Sequence, residues 1–420
     1  MDDSSRLPFV QQRNTVVQSA VNGRRVTIRI VFVDDELNIL EAMRRAFHCM
    51  RGEWSMEFLP SGAAALESLA IMPADVIVSD MRMPGMDGWQ LLAEIKRLYP
   101  QTVRLVLSGQ ADPTSVMRAV GTAQRYLAKP CASEAVKAAI AQSQMLRQLL
   151  SSDRLAQLVG SVGMLPSAPT AFQNILTCLQ DPAASLGDVA RIIGRDVAMT
   201  ANIMKLVNSA FFGSRRPVVS AERAVAYLGM DTIGALVLGH SVFKGGAASG
   251  IAGFNLDQLW QHSLQTGSAA RAIALAENFS NEEADEAFLA GVLHDIGKVV
   301  FATRAAAVPN EPSAGEDIMA TMEAHHAEVG AYLLGLWGFP NSIVEAVAFH
   351  HAPSRASEKC LTLSGIVHIA DRLVHLRCDN CAGQNDPVLE PGYLESLGLD
   401  GSAPRWSAAL NPVDSELAVA

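Results

Sequence analysis

Asp80 closes the apolar run Asp75-Val76-Ile77-Val78-Ser79-Asp80, and other reactive side chains stand at similar stops. The run from Val26 to Val33 ends in the carboxylate pair Asp34-Asp35, a third run ends at Ser108, and a fourth ends at Lys129-Pro130. Short apolar runs bounded by turn residues read as buried strands of a parallel sheet, whose carbonyl-end residues converge on one edge. Three carboxylates, a hydroxyl and an ammonium gathered there form a small acidic pocket for a cation. The set suits one reaction, transfer of a phosphoryl group to a carboxylate with help from Mg²⁺. A carboxylate is a poor nucleophile toward phosphate unless charge is neutralised, and Mg²⁺ with a lysine does that.

A second set lies in the other half. Of ten histidines, His262, His294, His326, His350 and His351 form an ordered series, with His325 beside His326. Asp295 directly follows His294, Lys298 stands three residues on, and Asp371 comes late. Each lies in a helical context: His294-Asp295 closes the apolar stretch Phe288 to Leu293, and His350-His351 precedes Pro353. Imidazoles and carboxylates from several helices can converge in a bundle core and hold one or two metal ions. Such N and O ligands suit Fe, Mn, Zn or Mg. His48, His240, His368 and His375 read as ordinary core or surface residues.

The elements that must position these groups fall into two kinds. From Val26 to about Gln142, strands expected at 26–33, 56–59, 74–80, 102–108 and 124–128 alternate with helices near 37–51, 62–71, 88–98 and 113–121. This is an α/β doubly wound, five-stranded parallel sheet of the flavodoxin-like kind. From Leu165 onward no strand alternation remains, and helices are expected near 169–180, 185–194, 196–209, 220–228, 231–241, 256–278, 282–302, 315–337, 341–350 and 360–376. That makes an all-α bundle of roughly 220 residues, a size one core can support. Between the two, Ser133 is expected to cap a helix that runs unbroken to Val159 as a connector. Its apolar stripe would pack on the output half or pair with a partner copy in a homodimer.

The expected organisation is a disordered stretch at 1–24, the α/β domain at 25–145, the connector at 133–160, the helical domain at 155–382 and a largely irregular tail at 383–420. With 420 residues, 49% hydrophobic, the chain has ample material for two cores. A net charge of −10, from 33 basic and 43 acidic residues, disfavours non-specific nucleic-acid binding. No basic recognition helix follows the α/β half, so direct DNA binding is not expected. No membrane-length apolar run and no signal core is present, and six cysteines are too few for a disulfide framework; a cytoplasmic protein is expected. Cys378-x-x-Cys381 has no second pair and reads as two incidental thiols.

The segments Val31-Phe32-Val33-Asp34-Asp35-Glu36, Ser79-Asp80-Met81-Arg82-Met83-Pro84-Gly85, Leu107-Ser108-Gly109 and Tyr126-Leu127-Ala128-Lys129-Pro130 resemble the receiver domain of two-component response regulators. The resemblance implies that Asp80 accepts phosphate from a sensor histidine kinase or phosphotransfer protein. It also implies that Asp34, Asp35, Asp80 and the backbone carbonyl of Arg82 serve Mg²⁺, that Lys129 neutralises the acyl phosphate, and that Ser108 and Tyr126 act as the switch. The histidine–aspartate series resembles the HD superfamily of metal-dependent phosphohydrolases. On that likeness His262, His294, Asp295 and Asp371 hold one ion, His326, His350 and His351 complete a second position, and Lys298 stands near a scissile phosphate. No Gly-Tyr-Pro element follows His351, unlike the relatives that cleave cyclic-di-GMP. Leu165-Pro166, Arg195-Asp196-Val197-Ala198-Met199-Thr200, Leu206-Val207-Asn208-Ser209-Ala210-Phe211-Phe212-Gly213 and Ala224-Val225-Ala226-Tyr227-Leu228-Gly229 are similar to the HDOD domain, a signalling relative of HD. The implied function is a phosphorelay response regulator whose HDOD output binds a partner protein or nucleotide, with metal. The alternative is a phosphodiesterase acting on a cyclic-di-GMP-type substrate, gated by Asp80 phosphorylation.

Overall fold

In a computed structural model, the described residues are 27–418 apart from 109–121, 130–132, 164, 166–173, 176, 180, 182, 209–216, 240–250, 252–253, 308–317, 357–359 and 378–388. The calls on residues 1–24, on the helix at 113–121, on most of 169–180, on His240 and on Cys378 and Cys381 lie outside them.

The N-terminal half is built on β1 (Ile28–Val33), β2 (Trp54–Leu59), β3 (Val76–Asp80), β4 (Val103–Ser108) and β5 (Arg125–Ala128). All pairs are parallel, in the order β2-β1-β3-β4-β5. Helices α1 (Leu37–Ala46), α2 (Gly62–Ile71) and α3 (Gly88–Leu98) connect them. The expected helix at 37–51 stops at Ala46, and a 3-10 turn at His48–Met50 follows. Val31, Ile77 and Val106 face one side of the sheet and Phe32, Val78 and Leu105 the other, because side chains alternate along a strand. The register pairs Val33 with Ser79, Asp80 with Leu107 and Ser108 with Ala128, so the strand-end residues share one edge.

The expected unbroken connector is not observed. Helix α4 (Ser133–Arg147) ends before a turn at 148–152, and α5 (Asp153–Ser161) starts afresh. The reason is local: the Ser152 hydroxyl accepts from the Leu155 N–H at 3.4 Å and caps α5, and serine favours that role over a helix interior. Ser133 is the first residue of α4 rather than the cap before it.

The helical half comprises α6 (Leu186–Gly194), α7 (Val197–Val207), α8 (Ala221–Gly239), α9 (Leu256–Ala276), α10 (Asn281–Leu293), α11 (Ile296–Ala307), α12 (Ile318–Leu336), α13 (Asn341–Phe349), α14 (Leu363–Arg377), a single turn α15 (Tyr393–Ser396) and α16 (Ala403–Ala418). Gly229, at φ +75°, kinks α8 where the sequence places a break between two helices. The expected helix at 282–302 is divided at His294-Asp295. The expected irregular tail is helical at Tyr393–Ser396 and Ala403–Ala418 among the described residues. Helix α16 packs on α9, Trp406 is 1% exposed, and its Nε1 donates to Glu277 Oε1 at 2.5 Å.

The two halves share one apolar core. Phe32, Leu105 and Val136 belong to the same cluster as Val159, Met204 and Leu334. Helix α4 lies along α12, and α5 contacts α3, α11 and α12. Arg104 of β4 is 1% exposed and donates to the carbonyls of Pro100, Thr102, Thr122 and, across the boundary, Gly160 of α5. In the turn between α4 and α5, Ser151 donates from its N–H and hydroxyl to Glu328 of α12, at 3.1 and 2.8 Å. Among the described residues no helix is long and apolar enough to cross a membrane.

Candidate functional site

The first site stands at the carbonyl edge of the sheet. Lys129 Nζ lies 2.8 Å from Asp34 Oδ2 and 2.5 Å from Asp80 Oδ1. Asp80 Oδ2 accepts from the Arg82 N–H at 2.8 Å, and Asp34 Oδ1 accepts from the Glu36 N–H at 3.0 Å. Asp34 and Asp80 are buried, whereas Asp35 is exposed at the mouth. Burial would lower the Lys129 pKa, but hydrogen bonds and charge from the two carboxylates outweigh it and raise it. The lysine therefore stays an ammonium. Asp35, Arg82, Met83, Asp87 and Trp89 line an adjoining cavity of about 490 Å³. The oxygen-rich set of Asp34, Asp35 and Asp80 fits a hard cation such as Mg²⁺. On β5, Tyr126 points inward: it is 5% exposed, and its buried hydroxyl has no hydrogen-bond partner among the described residues. Ser108 ends β4 beside this edge.

The second site lies where α9, α10, α12, α13 and α14 meet, and backbone contact brings their histidines and aspartates into range. Helices α9 and α10 cross at Gly267 and Gly291, where a Cβ on Gly291 would stand 2.7 Å from the Gly267 Cα. The crossing draws His262 of α9 toward His294, at the end of α10. A Cβ on Gly297 would stand 2.0 Å from the His326 carbonyl oxygen, so α11 rests directly on α12 and Asp295 meets His326.

The imidazole protons can be placed by deduction. His294 Nδ1 lies 2.7 Å from the Gly291 carbonyl, His350 Nδ1 2.8 Å from the Val347 carbonyl, and His326 Nδ1 3.1 and 3.0 Å from the carbonyls of Met322 and Glu323. A carbonyl only accepts, so each Nδ1 carries the proton and each Nε2 presents a lone pair. These lone pairs converge. His262 and His294 face each other through Nε2 atoms 3.3 Å apart, and His326 and His351 through Nε2 atoms 2.9 Å apart. Asp295 spans both pairs, its Oδ2 3.4 Å from His294 Nε2 and its Oδ1 3.2 Å from His326 Nε2. Asp371 Oδ1 lies 3.0 Å from His262 Nε2 and 3.8 Å from His294 Nε2. Among the described residues, His350 Nε2 and Asp371 Oδ1 are buried without a directed hydrogen bond. Converging Nε2 atoms and buried acceptors without a directed hydrogen bond are what a cation would relieve, and the N and O donors fit Fe, Mn or Zn.

The electrostatics agree. Burial pushes the His350 imidazole well below its ordinary pKa, with His351, His294 and His326 adding to the effect, and His351 is pulled down to about 4, mainly by burial. Both are neutral, as ligands must be. Burial alone would raise the Asp295 carboxyl, but His294, Lys298 and His326 hold it well below the carboxylate range. Lys298 Nζ donates to Asp295 Oδ2 at 3.0 Å and lies 3.7 Å from Glu323.

Of the sequence-predicted ligands, the structure gathers all seven: His262, His294, Asp295, His326, His350, His351 and Asp371. His325 is not among them; it faces Glu328 and Ser151 at the junction between the halves. His368 is a structural residue, donating to the His350 carbonyl at 2.7 Å and accepting from the Glu390 N–H at 2.9 Å. His375 was read as ordinary, and the structure corrects that: it stands 3.2 Å from Asp371 Oδ1, and its ring centroid is 4.5 Å from that of His262. The spacing from Asp371, one helical turn, could have signalled it.

A model of the response regulator receiver domain matches residues 30–141, and a model of the HDOD domain matches residues 165–353. The chain joins a response regulator receiver domain to an HDOD domain. The receiver–HDOD chain is 27% identical over 228 residues to an uncharacterized protein of Treponema pallidum, covering 52% of this chain and 44% of that one. It is 32% identical over 164 residues to the DNA-binding transcriptional regulator NtrC of Escherichia coli, covering 39% and 32%. The chain spans less than half the length of these curated relatives. Among solved structures it is similar to the signal receiver domain of an HD domain-containing protein from Pseudomonas fluorescens Pf-5, at 30% identity and TM-score 0.26, covering 27% of this chain and 92% of that one. It is also similar to the MmoQ response regulator of Methylococcus capsulatus, at 24% identity and TM-score 0.44, covering 58% and 97%.

Proposed function

We propose that this receiver–HDOD chain takes a phosphoryl group on Asp80, from a sensor histidine kinase or phosphotransfer protein, and thereby switches a metal-holding HDOD output that binds a partner protein or nucleotide. The observation that carries the reading is the Lys129 ammonium shared between Asp34 and Asp80 at the carbonyl edge of the sheet. Mg²⁺ held by Asp34, Asp35, Asp80 and the Arg82 carbonyl would supply the neutralising charge for phosphoryl transfer. Asp80 Oδ1 is the attacking atom: its bond to phosphorus forms as the donor's bond to phosphorus breaks. Lys129 then shifts its whole attraction to the new phosphoryl oxygens, whose charge is about −1.5 to −2. Ser108, at the end of β4, and Tyr126, buried on β5, are the residues proposed to register that change.

In the output, His262, His294, Asp295 and Asp371 would hold one divalent ion, and His326, His350 and His351 with the shared Asp295 a second. Such a pair can polarise a phosphate and lower the pKa of water. One observation favours the second reading, a phosphohydrolase: Lys298 sits against Asp295 as a fixed cation at the edge of the cluster. The missing Gly-Tyr-Pro element favours binding over cleavage of a cyclic dinucleotide.

Incubation with acetyl phosphate and Mg²⁺ tests the first step. The wild type should form an acid-stable, base-labile acyl phosphate, and Asp80→Asn should not. Undiminished labelling of Asp80→Asn refutes the assignment. Hydrolysis of a cyclic dinucleotide by the metal-loaded chain, abolished in Asp295→Asn, would establish the phosphohydrolase reading instead.

A further inference from the structure

The tail grips the helical half at a point that bears on the histidine cluster. The match to the HDOD domain stops at residue 353, and there a 3-10 turn, Pro353–Arg355, leads away from His350-His351. Two residues from later in the chain hold this stretch. His368 of α14 is buried, and its Nδ1 donates to the His350 carbonyl at 2.7 Å. Its Nε2 accepts from the Glu390 N–H at 2.9 Å, so both ring nitrogens are committed and the tautomer is fixed. The Glu390 carboxylate turns back to accept from the Ser354 N–H at 3.0 Å and from the Ser354 hydroxyl. These contacts close a ring that runs from His350 to His368, to Glu390, to Ser354 and back along the chain to His350. Tyr393 braces the ring from the tail, edge-on to His368 with centroids 6.1 Å apart. Gly365 makes room for it, since a Cβ there would stand 2.2 Å from the Tyr393 hydroxyl oxygen.

We infer that Glu390 and His368 are positioning residues, a clasp that holds the loop presenting His350 and His351 and so sets how tightly the second ion is bound. The inference rests on the proposal that His326, His350 and His351 hold metal, and it adds that their hold is governed from the tail. His350 and His351 stand just past the end of α13, where carbonyls lack intrahelical partners. The His368 N–H supplies one such carbonyl with a partner, and Glu390 pins the turn that follows. A ligand imidazole keeps its bearing only while its backbone is held, and hydrogen bonds behind metal ligands are worth about 10–100-fold in affinity.

The test uses the full chain stripped of metal. Zn²⁺ affinities are read by competition with a chromophoric chelator, and amide hydrogen exchange over residues 350–356 is read by mass spectrometry on the stripped protein. Glu390→Ala should weaken one ion by about 10–100-fold, leave the other unchanged and speed exchange across 350–356. Glu390→Gln, which keeps an acceptor oxygen for Ser354, should recover most of both. In His326→Ala, whose second position is already broken, adding Glu390→Ala should not change the affinity of the remaining ion. Unchanged affinities and unchanged exchange in Glu390→Ala overturn the clasp and leave the buried metal positions standing. Faster exchange with unchanged affinities, or equal weakening of both ions, overturns its hold on the second ion. Absence of bound Zn²⁺ in the wild type overturns the metal proposal and that hold with it, and the exchange over 350–356, measured without metal, then decides the clasp by itself.

Discussion

Asp295→Asn should silence the response of the protein to metal, and the size of the loss can be worked out. Among the described residues Asp295 is the one carboxylate within 3.4 Å of both imidazole groups, through Oδ2 to His294 and Oδ1 to His326. An ion that binds the folded chain alone stabilises it by about 2.7 kcal/mol at a hundred times its Kd, so two ions give about 5 kcal/mol. In a helical unit of roughly 200 residues, 1 kcal/mol moves Tm by about 2–4 °C, so saturation should raise it by roughly 10–20 °C. An asparagine keeps the shape but removes the charge that both positions share, so Asp295→Asn should retain almost none of that rise. His326→Ala, which touches one position, should keep about half. The metal-free Tm of Asp295→Asn will fall as well, because Lys298 loses its 3.0 Å partner. The readout is therefore the difference between metal-loaded and stripped protein within each variant, followed by circular dichroism at a constant pH near 7.5. An equal metal-induced rise in wild type and Asp295→Asn would refute the bridging role. No rise in the wild type with Zn²⁺, Mn²⁺ or Fe²⁺ would refute the metal centre.

Two further outcomes follow from the geometry. The stripped protein should lose stability as pH falls from about 6.5, the ordinary histidine value, toward 4. His294, His350 and His351 are neutral in the fold, with folded pKa values below that of the unfolded chain; the unfolded state binds more protons in that window and gains. His375 runs the other way and offsets part of the effect, and the depressed Asp295 and Asp371 add nothing until lower pH. A urea midpoint constant from pH 7.5 to 5 would refute this. Gly335→Val should loosen the junction between the halves, since a Cβ there would stand 2.4 Å from Leu146 Cδ1 of α4. The expected cost is about 1–3 kcal/mol, read as a lower urea midpoint together with faster proteolysis in the 148–152 turn; unchanged values would show that α4 does not rest on α12.

Much of the receiver was legible because each apolar run stops at a reactive polar residue, and strand-end position follows from that alone. The kink at Gly229 was legible for the same kind of reason, since a glycine there interrupts an apolar pattern. The connector was not. Leu146, Leu149, Leu150, Leu155 and Leu158 keep an apolar rhythm straight through Ser151-Ser152, and rhythm does not reveal that Ser152 turns its hydroxyl to cap the next helix. The tail was misread through its prolines. Pro404 lies in the first turn of α16, where proline lacks only an N–H that has no helical partner, and Trp406 just beyond it anchors the helix. The histidines and aspartates that gather between the helices were legible as an ordered set, whereas His375 was hidden because its spacing to Asp371 was not weighed as a shared helix face.

Arg104 has a consequence for how such chains can be cut and recombined. Its guanidinium belongs to β4, yet one of its four acceptors is the Gly160 carbonyl of α5, 2.7 Å away. Burial already pulls its pKa down to about 10, so the group can ill spare a partner. A receiver excised at the end of α4 would carry away a guanidinium stripped of that acceptor and an apolar flank on β4 open to water. A portable receiver therefore runs through α5, and the seam for grafting it onto a different output lies after residue 161, beyond the point where the sequence alone would place the boundary.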